Sequence, residues 1–134
     1  MPRLFRESPV NAIWEGSGNV QCLDVLRAVE KTPDVLDALF AELARAQGGH
    51  RALDRLIVRL KTDLGAAAIE EFGARALIDR MALALQAALL VQHAPSMVAD
   101  AFCASRIESS GQHQYGCLPV GSNAAAIVER ALQI

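Results

Sequence analysis

One carboxylate near the start of the chain stands in a setting suited to proton transfer. Glu15 follows Trp14, the single tryptophan, and Gly16, Ser17 and Gly18 come directly after it. Burial beside an apolar aromatic raises the pKa of a carboxylate and makes it a stronger base, and a tight turn could hold it in place. A plainer interpretation is a carboxylate stabilised by the dipole of a helix that starts here. The residue types alone favour the plainer interpretation.

Three arginines recur at every fourth position of a second segment. Arg51, Arg55 and Arg59 span roughly 80° of a helix face, with Lys61 and Arg75 expected nearby, and such a stripe can contact the phosphates of a nucleic acid. The alternative is a solvated helix face that Asp54, Asp63 and neighbouring acids partly neutralise. The net charge of −2 favours the solvated face.

The thiols and imidazoles do not form a metal-binding pattern. The three cysteines, Cys22, Cys103 and Cys117, form no CxxC pair. A zinc site at His113 and Cys117 would need further ligands close by, and the sequence does not supply them. No leader-like segment opens the chain, and the longest apolar run, 81–91, is about half the ~20 residues that cross a bilayer. We therefore expect a cytoplasmic protein with reduced thiols, without a metal and without a membrane segment.

The composition predicts an all-α protein. The 134 residues are 52% hydrophobic but only 4% aromatic, and alanine runs such as 66–68 and 124–126 supply much of the apolar fraction. Alanine and leucine are strong helix formers, whereas strands favour β-branched and aromatic residues. The apolar content excludes a disordered chain, and the acidic balance excludes a strongly basic nucleic-acid binder.

Apolar periodicity and end signals predict a bundle of five or six helices behind an extended segment, residues 1–16. Ser17, His50 and Ser96 are expected to cap helix starts. The expected helices cover about 18–31, Pro33 to the Gly48-Gly49 pair, 51–64, 66 or 74 to 93, and 96–107. After a loop at 108–121, Ser122 or Asn123 is expected to cap a last short helix that ends at about 132.

The segment from Arg6 to Val20 resembles the C-terminal signature of the acyl-CoA dehydrogenase superfamily. In that family an Arg-Asp-Ala stretch precedes an aromatic-Glu-Gly-Thr/Ser turn, and the Glu follows the Arg by nine residues. Arg6 and Glu15 keep that spacing, and Glu7-Ser8 replaces the Asp-Ala pair. The segment also resembles the alkylation-response AidB-like branch of the superfamily. The resemblance lies in the sequence Pro-Val-Asn-Ala-Ile-Trp-Glu-Gly-Ser-Gly-Asn, followed by Leu-Asp-Val-Leu-Arg. Residues 101–106 and 115–119 resemble the extra C-terminal helical region of that branch.

The resemblance implies an FAD-dependent oxidation of an acyl-CoA thioester in the complete protein. It implies that Glu15 is the catalytic base and that Trp14, Gly16, Ser17 and Asn19 contact the flavin. Residues 1–16 would then carry the start of the flavin turn, and residues 17–134 would form the C-terminal helical domain.

The resemblance also implies partners. The flavin and substrate sites of the family are built mainly by preceding domains of the same protein, so we expect the isolated chain to be inactive and to retain no FAD. The branch is associated with DNA binding, and exposed apolar surface favours a homo-oligomer. The alternative function is a helical DNA-binding or protein-interaction module of an alkylation-response protein.

Overall fold

The computed structural model describes residues 2–12, 14, 16–65, 71–109 and 116–132. These residues form helices and turns and contain no strand, so the prediction of an all-α fold is confirmed. Within them lie seven α-helices, slightly more than the five or six expected. They are α1 (Pro2–Glu7), α2 (Gly18–Lys31), α3 (Asp34–Ala44), α4 (Arg51–Leu64), α5 (Ala74–His93), α6 (Ser96–Phe102) and α7 (Ala124–Leu132).

The N-terminal segment is helical rather than extended. After α1, a 3-10 helix follows at Ser8–Ala12. Pro2 occupies the first position of α1, where proline is well tolerated, and Arg3 and Glu7 form an exposed ion pair at 3.8 Å. No residue of either helix is buried. An unburied helix carries no apolar stripe, and for this reason periodicity did not reveal it.

The core lies where α4 packs on α5. α4 buries Leu53, Leu56, Ile57 and Leu60, as its periodicity predicts. The facing side of α5 contributes Leu77, Ala84, Ala87 and Ala88, and Leu43 of α3 completes the cluster. α5 also contacts α2, α3 and α6, because its alanines allow close helix approach. The helix that carries this small-residue face is therefore the centre of the bundle.

Helix starts follow the sequence signals in part. His50 caps α4, its Nδ1 accepting a hydrogen bond from the Ala52 backbone N–H at 3.1 Å, as expected. Ser17 occupies the N-cap position of α2 in an extended conformation, but its side chain makes no capping bond, so that expectation was wrong. Ser96 is the first residue of α6 rather than its cap, because Pro95 precedes it and accepts from the Val98 N–H at 2.9 Å.

The predicted helix over 96–107 changes its winding midway. α6 ends at Phe102 and continues as a π-helical turn, Cys103–Glu108. The Ser105 hydroxyl donates to the Ala101 carbonyl at 2.7 Å and so uses an acceptor of the preceding turn. The π turn packs against α4, whereas α6 packs against α5.

α3 ends at Ala44, short of the Gly48-Gly49 pair that was expected to end it, and residues 45–48 form turns. α5 starts at Ala74 after a 3-10 turn at Glu71–Gly73, and the alternative start at Ala66 lies outside the described residues. Gly116 and Gly121, in the described part of the expected loop, have φ values of 79° and 91°. None of the helices described is both long and apolar enough to span a membrane.

Candidate functional site

The residues expected to contact a flavin lie in one turn between the 3-10 helix and α2. The Trp14 N–H donates to the Val10 carbonyl at 2.8 Å, which links the turn to the helix before it. Ser17 and Gly18 then start α2, so Asn19 falls in its first turn. Glu15, the predicted base, lies outside the described residues. The structure therefore brings together Trp14, Gly16, Ser17 and Asn19 without testing their roles.

Gly16 makes this turn possible. Its φ of +118° belongs to a region that residues with a Cβ rarely adopt. A Cβ at this position would also lie 3.4 Å from the Val20 side chain. The Gln21 carboxamide spans the turn, its Nε2 donating to the carbonyls of Trp14 (3.3 Å) and Gly16 (3.4 Å). The turn is consequently tied to the first two turns of α2 by local contacts.

Trp14 is exposed over 64% of its surface. Its indole borders an open groove of about 570 Å³, together with Leu4, Glu7, Val10 and Asn11. Apolar burial is the condition under which an aromatic raises the pKa of an adjacent carboxylate. The described residues do not supply that burial at Trp14.

Arg75, at the start of α5, reaches the same turn from a distant part of the chain. Its Nη1 donates to Asn19 Oδ1 at 2.6 Å. Its guanidinium also lies beside Gly18, where a Cβ would be 3.6–3.8 Å from three of its atoms. The sequence offered no signal for this contact, because 56 positions separate the two partners. Arg75 therefore contacts the turn although no sequence motif indicated that contact.

A groove of about 840 Å³ runs between α2 and α5 beside this contact. Gly18 and Arg75 border it, Cys22 and Val25 lie on the α2 side, and the fully exposed Phe72 stands before α5. The donors near the turn are the Arg75 guanidinium, the Asn19 carboxamide and the backbone N–H groups at the start of α2. Such a donor set suits an acceptor-rich or anionic group, in keeping with a phosphate or a flavin.

The arginine stripe lies on a separate surface. Arg51, Arg55 and Arg59 are all exposed on α4. Arg55 Nη2 donates to Glu108 Oε1 at 2.5 Å, so one member is paired with an acid that the sequence did not suggest. The acids expected to neutralise the stripe have other partners. Asp54 accepts from the Gly48 N–H at 3.0 Å, and Asp63 pairs with Arg80 at 3.0 Å.

The thiols and acidic groups show no other candidate centre. Among the residues that the structure describes, no group of three or more His, Cys, Asp or Glu could hold a metal ion, and His113 lies outside them. Cys103 is fully buried, and its desolvation, with the nearby charges of Asp100 and Glu108, raises the pKa of its thiol to about 11. A thiol with so high a pKa is a poor nucleophile near neutral pH.

Comparison with known proteins relates most of the chain to one relative. No protein-family model matches the chain. It is 40% identical over 111 residues to the Escherichia coli (strain K12) protein named "Putative acyl-CoA dehydrogenase AidB". The match covers 83% of this chain and 20% of that protein, so the chain spans about a fifth of its relative's length. The chain belongs to the acyl-CoA dehydrogenase superfamily and corresponds to the C-terminal region of its AidB-like branch.

Proposed function

We propose that this chain forms the C-terminal helical portion of an FAD-dependent acyl-CoA dehydrogenase-like protein and supplies part of its flavin site. The 40% identity over 111 residues to an AidB protein carries the proposal. The geometry of the turn supports it. Gly16 adopts the φ that a tight turn needs, and Asn19 stands in the first helical turn with its side chain held by Arg75.

In this function the turn binds and orients the cofactor. Trp14, Gly16, Ser17 and Asn19 contact the flavin, and the backbone N–H groups at the start of α2 donate hydrogen bonds to its acceptor or phosphate groups. Bound FAD would supply the acceptor for the hydride of the β-carbon of the acyl thioester. The Glu15 carboxylate removes the proton from the α-carbon, and the electron pair of that C–H bond becomes the α,β double bond.

The isolated chain has no turnover in this proposal. A carboxylate base gains strength when its surroundings exclude water, whereas Trp14 is 64% exposed and borders an open groove. The remaining four-fifths of the relative's length would provide the walls of the site. The partners of this chain are therefore the other domains of its own protein and, in the complete protein, an acyl-CoA.

A chimera tests this function. The 134-residue chain replaces the matching segment of the Escherichia coli relative, and the chimera is compared with the chain alone. We expect the chimera to purify with the visible absorption of a flavin and to oxidise acyl-CoA thioesters, while the chain alone does neither. A folded chimera without flavin would refute the proposal, and a flavin-loaded, active isolated chain would refute its dependence on other domains.

Glu15→Gln in the chimera tests the base. The amide keeps the shape of the side chain but cannot take the proton, so the rate of acyl-CoA oxidation should fall by roughly 10²–10⁴-fold with FAD still bound. Glu30→Gln, an exposed carboxylate near the far end of α2, is the matched control and should keep the activity. An active Glu15→Gln variant would assign the base to another residue.

A second candidate function is DNA binding by the arginine stripe, and the exposure of Arg51, Arg55 and Arg59 on one helix face favours it. Arg55→Glu should then weaken duplex binding at low salt and flatten its salt dependence. Arg27→Glu makes the same charge change on α2, where Arg27 pairs with Asp24 at 2.7 Å, and serves as the control. Identical binding curves for wild type and both variants would exclude the stripe.

We also propose that the protein acts in the cytoplasm and self-associates. Val128 and Leu132 of α7 are exposed over 58% and 79% of their surfaces, and they border an open apolar groove with Ala124. Exposed apolar area of this kind favours association. Sedimentation at two protein concentrations measures it, and Leu132→Ser should shift the equilibrium towards the monomer. A monomer at both concentrations would refute self-association of the chain.

A further inference from the structure

The contact between Arg75 and Asn19 fixes which end of the Asn19 carboxamide is available to a ligand. Arg75 Nη1 lies 2.6 Å from one terminal atom of that carboxamide. A guanidinium carries donors only, and a carboxamide has a donor nitrogen at one end and an acceptor oxygen at the other. The end that faces Arg75 must therefore be Oδ1, because the nitrogen would place two donors against each other. The Nδ2 group is left with its two N–H donors.

We propose that Arg75 is a positioning residue of the cofactor site, which turns Asn19 into a dedicated hydrogen-bond donor. The group that Asn19 meets on the cofactor is then an acceptor, a carbonyl oxygen, a ring nitrogen or a phosphate oxygen. This inference rests on the proposed function, in which Asn19 contacts the flavin. Arg75 itself need not touch the cofactor, since it acts through the oxygen of Asn19.

The surroundings of Arg75 help it to hold this position. Its guanidinium lies against the backbone at Gly18, with 3.6 Å between Nη2 and the place a Cβ would occupy. At that distance a Cβ at Gly18 would make ordinary van der Waals contact with the guanidinium, so Arg75 packs directly on the start of α2. Because α5 is the central helix of the bundle, Arg75 connects the start of α2 to the most heavily packed element.

A merely structural bridge between α2 and α5 is the competing explanation. A bridge through the packing of Arg75 on Gly18 would affect cofactor binding whether or not Asn19 is present, and a bridge through the bond to Asn19 would still function in Asn19→Asp, which keeps the attraction to Arg75. If Arg75 acts through Asn19, its replacement has no further effect once the Asn19 carboxamide is gone. A double-mutant cycle on cofactor affinity separates these cases.

The cycle is measured on FAD binding by the chimera described above. We expect Arg75→Met to weaken FAD binding about fivefold, the effect of losing one net hydrogen bond. Asn19→Ala should weaken it at least as much, and the double variant should equal Asn19→Ala. Arg75→Lys should recover part of the affinity, because an ammonium can also donate to Oδ1. Arg27→Met removes an exposed arginine from α2 and is the control, with affinity unchanged.

Additive losses in the double variant would overturn the positioning role, as would wild-type affinity in Arg75→Met. Asn19→Asp gives a second measurement, because a carboxylate keeps its attraction to Arg75 but has no N–H donor. It should bind FAD more weakly than the wild type by at least fivefold, and wild-type affinity would overturn the donor role of Asn19.

NMR of the 134-residue chain without cofactor separates failure of this inference from failure of the proposed function. The two carboxamide protons of Asn19 should show dispersed shifts in the wild type and collapse to the shifts of a free amide in Arg75→Met. Unchanged spectra would overturn the contact itself. A chimera that binds no FAD would overturn the proposed function and, with it, the cofactor role of Asn19, whatever the NMR shows of the contact.

Discussion

The turn between α3 and α4 contains a glycine whose replacement has a calculable consequence. A Cβ built at Gly49 would lie 2.4 Å from Cγ1 of Val91 in α5 and 3.1 Å from the Ala46 carbonyl oxygen. Carbon atoms in contact are about 3.5–4.0 Å apart, so Gly49→Ala requires a displacement of about 1 Å. Valine in a helix has one strongly preferred χ1 rotamer, and its methyl group cannot swing aside at little cost.

The size of the effect follows from two opposing contributions. Overpacking of this kind lowers the free energy of unfolding by about 1–3 kcal/mol. Alanine also restricts the unfolded chain, which contributes about 0.4–1 kcal/mol in the other direction. We therefore expect Gly49→Ala to lower the free energy of unfolding by about 1–2 kcal/mol, with a decrease in Tm of roughly 3–8 °C for a chain of this length.

Urea unfolding followed by circular dichroism measures this change, and two further variants locate its cause. Gly73→Ala is the matched control, because Gly73 has a φ of −87° and no atom within 4 Å of its Cβ position. It should leave stability unchanged or raise it slightly. In a Val91→Ala background, which removes Cγ1, Gly49→Ala should cost less than half as much. A Gly49→Ala variant as stable as Gly73→Ala, or an equal cost in both backgrounds, would refute the steric argument.

Three other substitutions test the turn and the titratable groups. Gly16→Ala imposes about 1–3 kcal/mol of backbone strain at a φ of +118° and should weaken FAD binding by the chimera. Gly48, with a φ of +80°, lies outside the turn, so Gly48→Ala is the control and should weaken FAD binding less. Equal FAD affinities of the two variants would contradict the argument. The raised pKa of Cys103, about 11, means that the folded state holds this proton more tightly than the unfolded state. The free energy of unfolding should therefore fall between about pH 9 and 11, by up to about 1.4 kcal/mol per pH unit, and fall less in Cys103→Ala; parallel pH profiles of the two proteins would refute this cause. Hydrogen bonds from Gln92 and Arg45 hold the pKa of Glu42 below its ordinary value, and the bond from Gln92 has the larger effect. Gln92→Ala should therefore raise that pKa in an NMR titration. Gln47→Ala, an exposed glutamine beyond the end of α3, is the control, and an unshifted Glu42 in Gln92→Ala would contradict the assignment.

The helices that the sequence located best are those whose periodicity and end signals coincide. α2 and α4 run over the expected residues, because a turn or cap stands at each of their ends; the apolar stripe of α4 is buried in the core, whereas α2 buries Cys22. α1 escaped prediction because it buries nothing. The π turn escaped prediction because α-helical and π-helical winding leave the same apolar pattern over so short a segment, Cys103–Glu108.

The candidate site shows the same division between local and distant information. Trp14, Gly16, Ser17 and Asn19 could be grouped from the sequence because they lie within six positions of one another and match a family motif. Arg75 could not, because its contact with Asn19 depends on how α5 crosses α2. The acids opposite the arginine stripe were misjudged for a related reason. Asp54 and Asp63 are near the stripe in sequence, but a backbone N–H and Arg80 are their partners in space.

What the described residues provide at the turn is orientation rather than enclosure. Gly16 sets the backbone, Gln21 ties it to α2, and Arg75 fixes the donor end of Asn19. These contacts reduce the freedom of the groups that meet a ligand, and such preorganisation lowers the cost of binding. Exclusion of water is a separate requirement, and a 64% exposed Trp14 does not meet it. Under the proposed function, cofactor affinity and base strength therefore have different origins. Changes at Gly16, Asn19 or Arg75 should act on FAD binding, whereas the pKa of Glu15 should respond to whatever covers Trp14.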